Sequence, residues 1–476
     1  MYKLKRILLK IFSFYQLDIR SLAFMRIALA LVIICDLIIR AGDLQAFFTD
    51  SGIWPTHLIK NFGWQPGYWS FHALSGKETY VWALFTLHFL FAFCLLIGYR
   101  TTLATILVWV FTVSLHNRNL FILQSGDDLL RLTLFWGIFL PWGNAFSVDS
   151  KKQSSKSQVS TPATMAYLLL ITSVYLFTVF FKNSSEWHND GTAIYYALSL
   201  EQIRLPVGDW LYQHPNLMKT LTHFVYVIEI IIPVAILFPD KKGISRGIAF
   251  LLLIVLHIGI GLTMYVGLFF LISMATAIGL VPAVFLNKLK LAAINNFSKT
   301  VKKANNKLKS VKTAFVSIII TLCLILNLSY MQWFPYELND EIKLVINTLR
   351  LNQYWGMFSP HILKEESWYV HEGFTEQGKH WDLYYNQPVI VIDKPEHLVK
   401  HYKTDRWRKL AENIQRNEYT FLRPLYCKYY LKKWNKEHPE NLMKNMNFII
   451  MKETSLANYQ SSVPEKIQLC FCTIND

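Results

Sequence analysis

The chain has 476 residues, of which 53% are apolar, 15% aromatic and only 17% charged; this mix is too apolar for an ordinary soluble domain and points to a polytopic membrane protein. A formal net charge of +16 could mark a nucleic-acid binder, but the lysines fall in short segments between apolar runs. That is the pattern of membrane topology, and it argues against nucleic acid as a partner.

The first segment, 1–20, places Lys3, Lys5, Arg6, Lys10 and Arg20 among Leu, Ile and Phe. It reads as a retained interfacial helix on an anionic cytoplasmic leaflet, with no cleavage pattern. A first span at about 21–39 carries Arg26 and Asp36, which at that depth are expected to pair with other helices. The loop 43–78 is rich in Trp, Phe, Pro and Gly and is expected to lie at headgroup level. Spans at about 79–97 and 102–115 follow, the second ending in Ser114-Leu115-His116-Asn117-Arg118-Asn119. A short span at about 129–142 begins after Gly126-Asp127-Asp128 and holds Arg131 one turn later, which suits an intrahelical ion pair.

A basic loop around Lys151, Lys152 and Lys156 leads to a span at about 164–181, which stops at Lys182 before Glu186-Trp187. An outer loop, 183–218, precedes a span at about 221–238 with Glu229 and Pro233. Beyond Lys241, Lys242 and Arg246, the span at about 248–264 carries His257 and a Gly259-x-Gly261 pair that allows close helix approach. Spans at about 266–286 and 314–331 flank a lysine-rich linker, 288–312. About nine spans result, with every basic loop on one side: N-terminus cytoplasmic, C-terminal region outside the inner (cell) membrane. Lys182, His116, Asp127 and Asp128 then share the non-cytoplasmic mouth, and His257 lies deeper.

From Trp333 the composition becomes that of a soluble domain. A helix is expected at 340–351, a hairpin over 368–385, a strand at 388–392, helices at 406–415 and 419–436, and strands at 447–452 and 466–472. The fold class is a mostly α polytopic membrane bundle (1–332) with a small C-terminal α+β extramembrane domain (333–476). Cys35, Cys94 and Cys323 read as packing residues in apolar runs; Cys427, Cys470 and Cys472 lack paired zinc spacing, so neither metal nor disulfide framework is expected.

Lys182 admits two readings. It anchors a helix end by reaching for water, or it stays dry and serves as a base, helped by Phe180 and Phe181 and opposed by Glu186 if the helix runs on. Converging intramembrane charges suit a transporter, a quinone-type lipid site or an enzyme with a dry base. A transporter is disfavoured by the lack of an internal repeat or a paired set of broken spans.

The segments Ser114–Asn119, Gly126-Asp127-Asp128-Leu129-Leu130-Arg131, Trp355-Gly356-Met357-Phe358 and Trp368-Tyr369-Val370 resemble bacterial HTTM (horizontally transferred transmembrane) proteins, relatives of the vitamin K-dependent γ-glutamyl carboxylases. The resemblance runs over nearly the whole chain and is more specific for membership than for activity. In the carboxylases a lysine in a Lys-x-x-x-Asp/Glu-Trp pattern deprotonates reduced vitamin K, and the ensuing oxidation drives carboxylation of a peptide glutamate. Lys182 with Glu186 and Trp187 matches that pattern, and Leu256-His257 matches a later histidine. The resemblance carries over two catalytic positions, Lys182 and His257; His116, eight or more residues too early to match the family's other histidine, is a further candidate for orienting or stabilising the anion, and Arg118, Asp127, Asp128, Arg131, Glu186 and Trp187 are candidate substrate-binding residues. The resemblance also implies reduced vitamin K or another quinol, no metal, the lipid bilayer as surroundings and a peptide or protein substrate. Two departures stand out: Gly126 or Asp127 replaces a histidine before the fourth span, and the outer domain is far shorter than in the carboxylases. The alternative is a non-enzymatic membrane component for peptide or toxin maturation, export or immunity, its charges acting as interhelical ties.

Overall fold

Apolar runs this long satisfy their backbone only as helices, and the computed structural model, which describes residues 13–152, 158–289, 306–334 and 336–474, is mostly helical. The expected interfacial helix falls largely outside the described residues, as do most of the lysine-rich linker and part of the basic loop at 151–156. Six helices among the described residues are long and apolar enough to cross a membrane: α1 (Ile19–Ala41), α2 (Glu78–Ile97), α5 (Pro162–Phe181), α6 (Pro215–Leu237), α7 (Ile244–Thr263) and α9 (Asn306–Ser329, over its 310–329 stretch).

Three further helices stand where spans are expected. α3 (Thr101–Arg118) has the length, but its last turns carry buried Ser114, His116, Asn117 and Arg118. α4 (Ser125–Gly137) has 13 residues, about 20 Å against a hydrocarbon core of about 30 Å. α8 (Phe269–Ala277) runs on only through a single 3-10 turn, Ile278–Leu280. These short helices form the inner layer: α4 packs on α3, α5 and α8, and α8 also packs on α1 and α7. Tyr167 of α5 donates to the Thr276 carbonyl at 2.6 Å, tying α8 to the bundle. On the outside, Leu251, Val255, Ile258 and Leu262 of α7 and Phe224, Val227, Ile231 and Val234 of α6 stand exposed, an apolar surface that suits lipid.

The C-terminal region starts with the helix Asp340–Thr348 and builds one antiparallel sheet from β1 (Glu365–Phe374), β2 (His380–Asp382), β3 (Asn445–Thr454) and β4 (Glu465–Thr473), in the order β2-β1-β3-β4. Between β2 and β3 come α10 (Asp405–Gln415) and α11 (Leu422–Glu437). Cys427, Leu431 and Trp434 are buried at helical spacing on α11, which packs across β3 and β4. The strand expected at 388–392 does not form. Its backbone is satisfied by side chains instead, with Val391 N–H donating to Asp382 Oδ2 at 3.0 Å and the Ile392 carbonyl accepting from Trp368 Nε1 at 3.0 Å. The expectation of no disulfide is also corrected: Cys427 and Cys472, 45 residues apart, are bridged across a Cα separation of 6.1 Å. Their pairing comes from packing α11 on β4, which spacing along the chain does not reveal.

Candidate functional site

α5 ends where its apolar run ends. The Lys182 N–H still donates to the Thr178 and Val179 carbonyls at 3.2 Å, but its backbone (φ −79°, ψ 65°) leaves the helix. Glu186 therefore does not lie one turn above Lys182. It accepts from the Ile362 N–H at 2.9 Å and pairs with Lys364 at 2.6 Å, pinning the start of the C-terminal region. The turned-back chain carries Trp187 over Lys182, with Nζ 3.7 Å from the ring centroid. Trp187 is held in turn by donation from Nε1 to the Phe358 carbonyl at 2.9 Å.

The partner of Lys182 is Glu229 on α6, at 2.5 Å. Both are buried, Lys182 to 3% exposure, so neither reaches free water. Both line a cavity of about 250 Å³. The N-terminal half and middle of α6, the C-terminal half of α7 and the short helices Ala193–Ser199 and Pro206–Tyr212 form its sides, and Phe358 and Ile362 contribute from the C-terminal region. Apart from Lys182, Glu229 and Thr263 the lining is apolar or aromatic.

His257 is not on this lining. It turns from its neighbour Leu256, which is, to the inner side of the bundle, where Nε2 meets Tyr175 Oη at 2.7 Å and the ring packs on Phe269. His116 and Asp127 belong to a separate buried cluster. Arg40 bonds Asp36 at 2.6 Å and Asp127 at 2.7 Å, while Arg406 of α10 bonds Asp36 at 3.0 Å and both Asp127 oxygens. His116 Nε2 lies 3.5 Å from Asp127 Oδ1. Asp128 pairs with Arg131 at 2.8 Å, as its spacing predicts, and Arg131 also donates to the Arg350 and Asn352 carbonyls. Arg118 is buried, reaching the Thr49 carbonyl at 3.5 Å. Of the nine residues anticipated, then, Lys182 and Trp187 share the cavity, Glu186 braces its rim, and the others serve the interior or the junction with the C-terminal region.

Donor atoms of Asp36, His116 and Asp127 lie within 4.8 Å of one another, a spacing that a cation could use. Arg40 and Arg406 occupy those same carboxylates, so a metal would meet two guanidinium groups. Two principal partners are not read from the sequence: Glu229 stands there as an intramembrane acid but not as the mate of Lys182, and Arg406 only as the first residue of the helix expected at 406–415. No family model, no curated protein and no solved structure matches the chain.

Proposed function

We propose that this chain is a multi-pass membrane enzyme that removes a proton from a lipid-soluble hydroxylic substrate, a quinol of the reduced vitamin K type, with Lys182 and Glu229 as the proton-accepting pair. The observation that carries this reading is a buried lysine–carboxylate pair on the lining of an otherwise apolar cavity. A cavity of about 250 Å³ lies just below the roughly 300–1,000 Å³ of drug-sized sites and suits a single aromatic head. In this reading the resting pair holds one proton between Nζ and Oε2. Taking a second from the substrate O–H leaves an ammonium beside a neutral carboxyl, and the ammonium then faces the new oxyanion. Trp187 holds Nζ in place from the other side. The quinol supplies the redox chemistry; the protein supplies the proton acceptor, the dry walls and the orientation.

The resemblance to HTTM proteins and γ-carboxylases supports the same reading and adds a peptide or protein glutamate as second substrate. It also extends the fold to nine crossings in the inner membrane, N-terminus inside and C-terminal domain outside; a disulfide in that domain suits the oxidising side. The test is oxidation and epoxidation of the quinol by dioxygen, the co-reactant that takes its electrons and supplies the epoxide oxygen, with the protein in nanodiscs, with and without a glutamate peptide and bicarbonate, comparing wild type with Lys182→Ala. Turnover that needs Lys182 is expected; turnover unchanged by the substitution ends the base assignment. A non-enzymatic membrane component is favoured by one observation, that the Asp36, Arg40, Asp127 and Arg406 cluster ties helices together with every carboxylate occupied. Absence of turnover with any quinol selects it.

A further inference from the structure

Gly259 and Gly261 stand two residues apart on α7, which places them on roughly opposite sides of the helix, and they have opposite surroundings. A Cβ added at Gly261 would lie 2.7 Å from the Phe270 ring, so close packing explains that glycine. A Cβ added at Gly259 would meet nothing within 4 Å. A glycine inside a helix costs about 0.5–1 kcal/mol relative to alanine, and at Gly259 no neighbour explains it. Gly259 does, however, line the cavity that holds Lys182, and it is also exposed on the outer surface of the bundle.

The same double character marks two other lining residues: Phe224 of α6 is 52% exposed and Val255 of α7 is 59% exposed. The cavity thus reaches the surface sideways, between α6 and α7, where the neighbouring outward residues Val227, Leu251, Ile258 and Leu262 are apolar and exposed as well. Its charged lining residues, Lys182 and Glu229, are both buried, and its volume cannot take up both an aromatic head and a long hydrocarbon tail.

We propose that the gap between α6 and α7 is a lateral mouth through which an amphiphile dissolved in the bilayer puts its hydroxylic head against Lys182 and Glu229 while its apolar tail stays in the gap, and that Gly259 sets the room for that tail. This rests on the proton-acceptor reading for the head and goes beyond it in naming the route and the residue that selects tailed ligands. A side chain at Gly259 would project into the open space of the gap, with no protein neighbour within 4 Å of its Cβ, and would take up room there that a ligand tail needs.

The experiment uses the full chain in nanodiscs and two probes with one head: a 2-methyl-naphthoquinol without a tail and the same head with a multi-isoprene tail ending in a photoreactive diazirine. Gly259→Leu is expected to weaken the tailed probe by about tenfold, a loss of about 1.4 kcal/mol, and the tail-less probe by less than about twofold. Photolabelling is expected on α6 and α7. Phe224→Ala, which widens the gap without adding bulk, is expected to speed association of the tailed probe, and so keeps the test decisive if Gly259→Leu fails to fold. Equal effects of Gly259→Leu on both probes, labels elsewhere in the bundle, or an unchanged association rate in Phe224→Ala would each overturn the mouth. Lys182→Ala separates the two ideas: labelling that persists in a protein with no quinol turnover keeps the mouth and removes the base.

Discussion

Lys182 and Glu229 meet at 2.5 Å and both are buried, which decides what the pair contributes to stability. Its formation adds little net stability because both charges lose their hydration, but removal of one partner strands the other and typically costs about 3–5 kcal/mol. Lys182→Ala is therefore expected to lower the thermal stability of the protein by that order, while Lys182→Met combined with Glu229→Leu recovers most of it. A single mutant that melts with wild type would mean that the pair is hydrated and the dry-base reading has lost its footing. His371 makes a second case at this scale. It is stacked flat on Tyr430 at 4.0 Å and bonded to Tyr426 Oη at 3.0 Å, and burial pushes its imidazole down to about 3. The unfolded chain takes up that proton below about 6.5 while the folded chain does not, so the His371 contribution to stability is present at neutral pH and is lost as pH falls. Between pH 7.5 and 5 the loss is about 2 kcal/mol. His371→Phe removes it, so the melting point of this variant should fall less on acidification than that of wild type; parallel pH curves would contradict the assignment.

The elements differ in how far they can be read from the chain. Apolar runs and their stops locate α1, α5, α6 and α7, and the Glu376-Gln377-Gly378-Lys379 turn locates the hairpin, because hydrophobic period and turn chemistry are local properties. The 388–392 segment looks like a strand by the same rule and is not one, since Asp382 and Trp368 satisfy its backbone from a distance. Lys182 was legible as a candidate for a similar local reason: it ends a run. Its mate lies 47 residues away, and that pairing exists only after α6 packs on α5. α10 shows what such distant contacts accomplish. Arg406 leaves an otherwise ordinary amphipathic helix and enters the membrane bundle to meet Asp36 and Asp127, joining the C-terminal region to α1 and α4. Arg406→Ala uncovers two buried carboxylates, and a loss of about 3–5 kcal/mol is expected, seen as faster proteolysis within 333–476 while the spans stay protected. Within that region the Cys427–Cys472 bridge closes a 45-residue separation, worth about 4 kcal/mol by chain entropy; Cys427→Ser should lower the unfolding temperature of this region under non-reducing conditions and leave reduced samples alike.

At the scale of the whole molecule, the side on which the C-terminal domain lies turns on α8. α3 and α4 either both cross or both fail to, so they leave the parity unchanged, whereas α8 alone decides whether α9 ends inside or outside. The contacts at its two ends favour a crossing. Just before it, Tyr265 Oη accepts from the Asp405 N–H at 3.3 Å, beside the residues that meet the outer end of α1. Just after it, the Val281 carbonyl accepts from Ser21 Oγ at 2.6 Å and Asn287 accepts from Arg20 at 2.7 Å, at the opposite end of α1. A passage of twelve helical residues is compatible with the packing of α8 among α1, α4 and α7, since a helix enclosed by protein need not match the lipid thickness on its own. With α8 crossing, every basic segment falls on one side, and Cys427 and Cys472 fall on the other, where a disulfide persists. Cys427 and Cys472 are buried, so the side is read at Cys470, part-exposed on β4 and outside the bridge: membrane-impermeant maleimide added to intact cells should modify it without lysis. If Cys470 reacts only after the cells are broken open, the domain faces the cytoplasm, α8 does not cross, and Lys182 no longer shares a face with the domain whose Phe358 and Ile362 help to enclose it.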